Sequence, residues 1–183
     1  WEVRLPAETF DVKSDPKRYD YPDAAKKLTT YKYCIQAQDG TWQDKADPYG
    51  FAMQMRPDTA SRIYDLSGYR WGDADWMEAR KSYDPYHSPV NIYEMHLGSW
   101  RRHKDGTFLT DTEIAEQLVP YLKEMGYTHV EFMPVMEHPL DMSWGYQVSG
   151  YYAATARFGE PKELMALIDA LHQAGIGVLL DWV

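Results

Sequence analysis

The sequence is short of cysteine, of basic charge and of long apolar runs. Its single cysteine, Cys34, allows no internal disulfide and fits a reducing compartment, so a cytoplasmic location is expected. Nineteen Lys and Arg stand against 28 Asp and Glu, a net charge of −9. Proteins that bind nucleic acid neutralise phosphates with basic patches, so nucleic acid is not an expected partner. An acidic chain also gains nothing at an anionic membrane surface, and no apolar stretch approaches the roughly 20 residues of a membrane span. No glycine fingerprint follows a strand, which argues against a dinucleotide-binding sheet. Neither a phosphate loop nor a Gly-x-Ser-x-Gly nucleophile turn occurs. The His-Glu-x-x-His spacing of zinc enzymes is missing too, and Glu137-His138 is at most a fragment of it, so neither metal nor cofactor is expected.

Aromatic surface, by contrast, is abundant: seven Trp, 15 Tyr and five Phe. Sugar rings stack their apolar faces on flat aromatic side chains while their hydroxyls bond polar groups. The composition suits a neutral polysaccharide partner, and it equally suits an aromatic core.

Two regions follow from the periodicity. Residues 1–83 read as short strands separated by turns. Trp1–Leu5 alternates, Asp15–Lys27 is a charged, Pro-containing loop, and Tyr31–Gln36 alternates again before the hairpin signal Asp39-Gly40. Thr41–Gln43 forms the return strand, and Arg62–Leu66 a further one. The acidic pairs Asp44/Asp47 and Asp73/Asp75 read as solvated turns. Residues 84–183 alternate between strand and helix. Asn91–Leu97, Tyr127–Val135 and Ile176–Val183 are the strands. The first helix opens on the capping box Thr110-Asp111-Thr112-Glu113, carries the apolar stripe Ile114, Leu118, Leu122 and Met125, contains Pro120, and stops at Gly126. The second opens on Pro161, buries Leu164, Leu167, Ile168 and Leu171, and stops at Gly175. Alternating β and α elements require a parallel sheet with right-handed crossovers; three strands and two helices leave open whether it closes into a barrel. Ile176–Val183 is nearly continuous in apolar residues, as for a strand buried on both faces. Both ends of the sequence interrupt strand-like runs, so a piece of a longer protein is expected.

In parallel α/β folds, ligands meet the carboxyl ends of the strands. The loop Glu137–Gln147 leaves such an end and gathers carboxylates, a histidine and two flat aromatics, Trp144 and Tyr146. A sugar-binding wall is the functional reading; packing of the loop onto the fold is the structural one. Asp181 interrupts the apolar third strand near its carboxyl end, where an unpaired charge costs several kcal/mol. It needs a partner, either a structural Arg or a ligand hydroxyl. Glu94 and His96 alternate on the first strand and read as a hydrogen-bonded core pair.

Asn91-Ile92-Tyr93-Glu94-Met95-His96-Leu97-Gly98-Ser99-Trp100-Arg101-Arg102 resembles the first barrel strand of bacterial glycogen branching enzymes in the α-amylase superfamily. Glu137-His138-Pro139 with Ser143-Trp144-Gly145-Tyr146-Gln147 resembles their second-strand loop, and Leu180-Asp181-Trp182-Val183 the opening of their first conserved region. Lys45–Phe51 is similar to the end of their glycogen-binding β-sandwich module. The chain departs at Met142, where the family usually has Gly, at Val148, where many members have Pro, and over Phe10–Thr30, which looks expanded. The resemblance implies a β-sandwich remnant over 1–83 followed, over 84–183, by the first three strands and two helices of a (β/α)8 barrel. It also implies an enzyme that cleaves α-1,4 links in a glucan and re-forms them as α-1,6 branches, with retention, through an Asp nucleophile and a Glu acid/base. In the family both lie on later strands, so no catalytic residue is assigned in this chain, and the segment alone is expected to be inactive. The substrate wall carries over: Tyr146 as the stacking platform, Trp144 beside it, and Asp181 as a carboxylate of the floor. Two other readings stand beside this one: a debranching or trehalose-releasing hydrolase of the same superfamily, and a glucan-binding fragment without catalysis.

Overall fold

A computed structural model describes residues 29–183. The alternation at Trp1–Leu5 and the loop at Asp15–Lys27 lie outside the described residues. Strands β1 (Thr30–Tyr31), β2 (Tyr33–Gln36), β3 (Trp42–Lys45), β4 (Ala52–Met53) and β5 (Ser61–Arg62) come first. They form two small antiparallel sheets, one ordered β1-β5-β4 and the other the β2-β3 hairpin. The hairpin turns at Gly40, whose φ of +83° is open to glycine at no steric cost. The alternating run from Tyr31 breaks at Lys32 into two strands that pair in different sheets, and the strand expected over Arg62–Leu66 keeps only its first residue.

Helix α1 (Ala74–Ala79) bridges to the second region. There follow β6 (Ile92–Met95), the single turn α2 (Leu97–Trp100), α3 (Asp111–Met125), β7 (His129–Phe132), β8 (Met136–Glu137), β9 (Gly150–Ala154), α4 (Pro161–Gln173) and β10 (Gly177–Leu180). The three long-range strands pair in parallel in the order β10-β7-β6, the sheet the alternation requires. Between β7 and α4 the chain makes an antiparallel excursion, β8 with β9, that the periodicity did not indicate.

The core lies between this sheet and α3 and α4. Ile114, Leu118 and Leu122 of α3 and Leu167 and Leu171 of α4 are fully buried against Val130 and Phe132 of β7. Each such side chain contributes roughly 1.5–3 kcal/mol. The capping box of α3 forms: Thr110 Oγ1 accepts from the Glu113 amide at 3.3 Å, and the Glu113 carboxylate accepts from the Thr110 amide at 2.8 Å. Pro161 sits in the first turn of α4, where its missing N–H costs nothing. Pro120 lies within α3, which runs unbroken from Asp111 to Met125.

Four expectations need correction. Met125 is half exposed, because the apolar stripe of α3 turns away from the sheet in its last turn. Leu179 and Leu180 of β10 are 38% and 43% exposed: among the described residues β10 is an edge strand, with cover on one side only. Asp73 is buried and accepts from His172 Nδ1 at 2.8 Å, so it ties the segment before α1 to α4. Asp47 accepts hydroxyl bonds from Tyr31 and Tyr33, at 2.5 and 3.2 Å, and is no simple solvated turn.

Candidate functional site

The carboxyl ends of β6, β7 and β10 share one rim, because the strands are parallel and in register from Ile92–His129–Gly177 to Met95–Phe132–Leu180. The residues that leave this rim are His96 after β6 and Asp181 after β10, whose amide donates to the Phe132 carbonyl at 3.0 Å. The loop between β8 and β9 folds over it.

That loop is shaped by short-range hydrogen bonds. A single 3-10 turn spans Asp141–Ser143; the Ser143 amide and hydroxyl both donate to the Leu140 carbonyl, at 3.0 and 2.7 Å. The Trp144 amide donates to the Asp141 carbonyl and the Tyr146 amide to the Ser143 carbonyl, each at 3.0 Å. Trp144 takes φ +54°, the one left-handed non-glycine among the described residues. Gly145 follows at φ +89°, and a Cβ there would lie 2.4 Å from the Pro134 carbonyl oxygen. Only glycine lets the backbone pass Pro134 so closely. The reversal throws the rings of Trp144 and Tyr146 outward, 52% and 45% exposed.

Of the three residues singled out for sugar binding, the structure brings two into contact. The Tyr146 hydroxyl donates to Asp181 Oδ2 at 2.5 Å. This bond raises the phenol to about 12, with burial and the charges of Asp181, Glu94 and Glu131 adding to it. The partner of Asp181 is thus neither an arginine nor absent; it is the tyrosine of the facing loop. Trp144 makes its ring contact elsewhere, stacked on His96 with centroids 5.8 Å apart and planes 18° from parallel. His96 is therefore no core partner of Glu94. It also meets Ser99 Oγ at 3.0 Å through Nδ1, and burial, then the neighbouring His138, holds its pKa below the usual histidine value. His138 is lowered as well, chiefly by burial.

Behind the rings lies an ionic chain, buried at Glu137 and Arg157 and open at Asp141 and Arg56, that local sequence did not reveal. The Glu137 carboxylate accepts from Arg157 at 2.8 Å, the Ala156 amide at 2.7 Å, the Thr155 hydroxyl at 3.1 Å and the His138 amide at 3.0 Å. The Arg157 Nε donates to Asp141 at 2.8 Å, and Asp141 also pairs with Arg56 from the antiparallel region. Burial pushes the Asp141 carboxyl up, but the two arginines outweigh it and hold its pKa below the usual value. Glu137-His138 is thus committed to holding the loop. The signal that could have revealed this was the arginine at 157, buried between apolar neighbours; its partners lie 16 and 20 residues back.

A wet rim at the carboxyl ends of parallel strands, with two open rings and a carboxylate already engaged by a hydroxyl, can hold a neutral polyol: rings for the apolar faces, Asp181 for the hydroxyls. The parallel sheet with its two helices is the fold of part of a β/α barrel. Residues 102–183 match the alpha amylase catalytic domain family. A Salmonella typhimurium structure assigned as an alpha amylase superposes with a TM-score of 0.64 at 29% identity, over 85% of this chain and 24% of that one. The catalytic module of the glycogen-degrading pneumococcal virulence factor SpuA superposes equally well at 20% identity, over 83% of this chain and 27% of its own, a likeness of fold. In sequence, the chain is 56% identical over 153 residues to the 1,4-alpha-glucan branching enzyme GlgB of Thiobacillus denitrificans, covering 84% of this chain and 21% of the relative. It is 52% identical to that of Geobacillus stearothermophilus (84% and 24%) and 48% to that of Synechocystis (85% and 23%). The chain is thus similar over residues 102–183 to the alpha amylase catalytic domain, and over most of its length to part of the 1,4-alpha-glucan branching enzymes. It spans about a quarter or less of the length of these curated relatives.

Proposed function

We propose that this segment forms the wall and floor of the glucose-binding mouth of a 1,4-α-glucan branching enzyme, with Tyr146 as stacking platform, Trp144 beside it and Asp181 as acceptor for sugar hydroxyls. The whole protein then cleaves an α-1,4 link and re-attaches the freed chain through an α-1,6 link, with retention. The Asp nucleophile and Glu acid/base of that reaction, held about 5–5.5 Å apart, come from later strands of the barrel, and this segment positions the sugar for them. Residues 1–83 are read as the end of a glycogen-binding β-sandwich module, a reading supported by the short antiparallel strands β1–β5; residues 84–183 are the opening of the barrel. The glucan is neutral, which suits a chain of net charge −9, and the location is taken as cytoplasmic.

The observation that carries this reading is the 2.5 Å bond between Tyr146 and Asp181 at the carboxyl rim of the parallel strands. It presents an aromatic face and a carboxylate to the same space. Relatives at 48–56% identity favour branching over debranching or trehalose release. Affinity electrophoresis of the chain through gels containing amylose tests it. Tyr146→Ala and Asp181→Ala should each abolish most of the retardation, whereas retardation unchanged in both variants would refute the assignment. New α-1,6 links formed from amylose by the whole protein, rather than net release of reducing sugar, separate branching from hydrolysis.

A further inference from the structure

A second aromatic surface begins where the first ends. Trp182 directly follows Asp181, and its ring lies 6.3 Å from Tyr151 and 6.1 Å from Tyr152, both on β9. Tyr152 in turn stacks on Tyr49 of the antiparallel region, 5.6 Å away and 20° from parallel. The four rings make a continuous row from the sugar-site rim to the loop between β3 and β4. All are open: Tyr49 is 72% exposed, Trp182 55%, Tyr152 53% and Tyr151 46%. Among the described residues, packing therefore does not account for them. Four exposed rings in contact are contiguous rather than scattered, and contiguous apolar patches mark binding surfaces. The groups around its start are acidic: Asp181 adjoins Trp182, and Glu94 and Glu131 lie close enough to Tyr146 to act on its phenol. An anionic ligand is disfavoured there, and a neutral one with many hydroxyls finds rings to stack on and carboxylates and phenols to bond.

We infer that Tyr49, Tyr152 and Trp182 form an extended glucan-binding track, which takes the α-1,4-linked chain beyond the glucose held at Tyr146 and leads it from the barrel rim across to the antiparallel sheets. The inference rests on the reading of the rim as a sugar site. Its occupant follows from continuity with that rim and from the charge around it. The track selects for chain length: a short ligand fills the rim alone, and a longer one also lies on the row. Since Tyr49 lies on the loop between β3 and β4 and Tyr152 on β9, the track also aligns the two regions along one substrate.

The test compares maltose with maltoheptaose binding, by calorimetry, for the full chain and for Tyr49→Ala/Tyr152→Ala, Tyr152→Phe and Tyr146→Ala. The double alanine variant should lose about tenfold or more in maltoheptaose affinity, roughly the contribution of two stacking contacts, with maltose binding unchanged. Tyr152→Phe, which keeps the ring, should retain most of it. Equal losses for both sugars, or no loss for maltoheptaose, would overturn the track. A change in oligomeric state on size-exclusion chromatography of the double variant would overturn it in favour of a protein-protein contact. Failure of the underlying sugar site reads differently: Tyr146→Ala would then leave both sugars unaffected.

Discussion

Arg157→Met tests whether the loop between β8 and β9 is held by the buried ion pair beneath it. Arg157 and Glu137 side chains are 2% and 5% exposed and 2.8 Å apart. Removing the guanidinium leaves a buried carboxylate whose remaining partners are two amides and a hydroxyl. Breaking such a pair from one side costs about 3–5 kcal/mol. In a chain of this size each kcal/mol moves the melting temperature by about 2–4 °C, so a fall of roughly 10 °C is expected by calorimetry. The magnitude comes from the stranded charge rather than from lost packing, since Met fills much of the same space. Adding Glu137→Gln to Arg157→Met neutralises that charge while its carbonyl still accepts from the Ala156 amide. The double variant should therefore recover about 2 kcal/mol relative to Arg157→Met in a urea titration with unchanged m-value. If the double variant instead loses the sum of the two single effects, the pair is not the coupling unit and the argument fails.

Four further outcomes follow from the same geometry. Thr110→Ala removes half of the capping box of α3 and should cost about 1 kcal/mol, read as a lowered urea midpoint. Gly145→Ala sets a Cβ against the Pro134 carbonyl at φ +89°; it should cost at least about 2 kcal/mol and speed hydrogen exchange across residues 140–147. Asp181→Asn removes the charge that holds the Tyr146 phenol at about 12, so an alkaline ultraviolet titration should show one tyrosine moving back towards 10. Asp111 is buried with its Oδ1 unpartnered, and burial, then Glu163, raises its carboxyl to about 8. The unfolded chain releases that proton near pH 4 while the folded chain keeps it to about 8, so stability falls as pH rises through this window. Asp111→Asn should raise the melting temperature more at pH 8 than at pH 5.

What was legible in the sequence was what periodicity and short spacing encode. The parallel order of β6, β7 and β10 followed from strand-helix alternation, and the capping box from a four-residue pattern. The buried stripe Ile114, Leu118, Leu122 followed from the 3.6-residue repeat, and the prominence of the Glu137–Gln147 loop from its place after a strand. What stayed hidden depends on pairing across distance. Asp181 finds Tyr146 35 residues away, and Glu137 finds Arg157 20 residues on. The β8-β9 excursion was illegible because β8 has only two residues, too few for an alternation. Met125 was misplaced because a stripe of constant spacing says nothing of where the neighbouring sheet stops.

Asp141 joins the two regions at the site. It is held by Arg157 from behind and by Arg56 from the antiparallel side, so the loop that presents Trp144 and Tyr146 is clamped from both. Arg62 of β5 adds a second tie, a buried 3.0 Å pair with Glu160 at the N-terminus of α4, and Asp169 a third, accepting from Tyr69 and the Gly72 amide. These ties fix the antiparallel region against the loop and α4 rather than leaving it an appendage. The Arg62–Glu160 charges are buried at both ends, and neither can be released without stranding the other, so β5 and α4 hold one relative position. The Tyr49–Tyr152 stack crosses the same boundary and can present a continuous surface only if that position is kept.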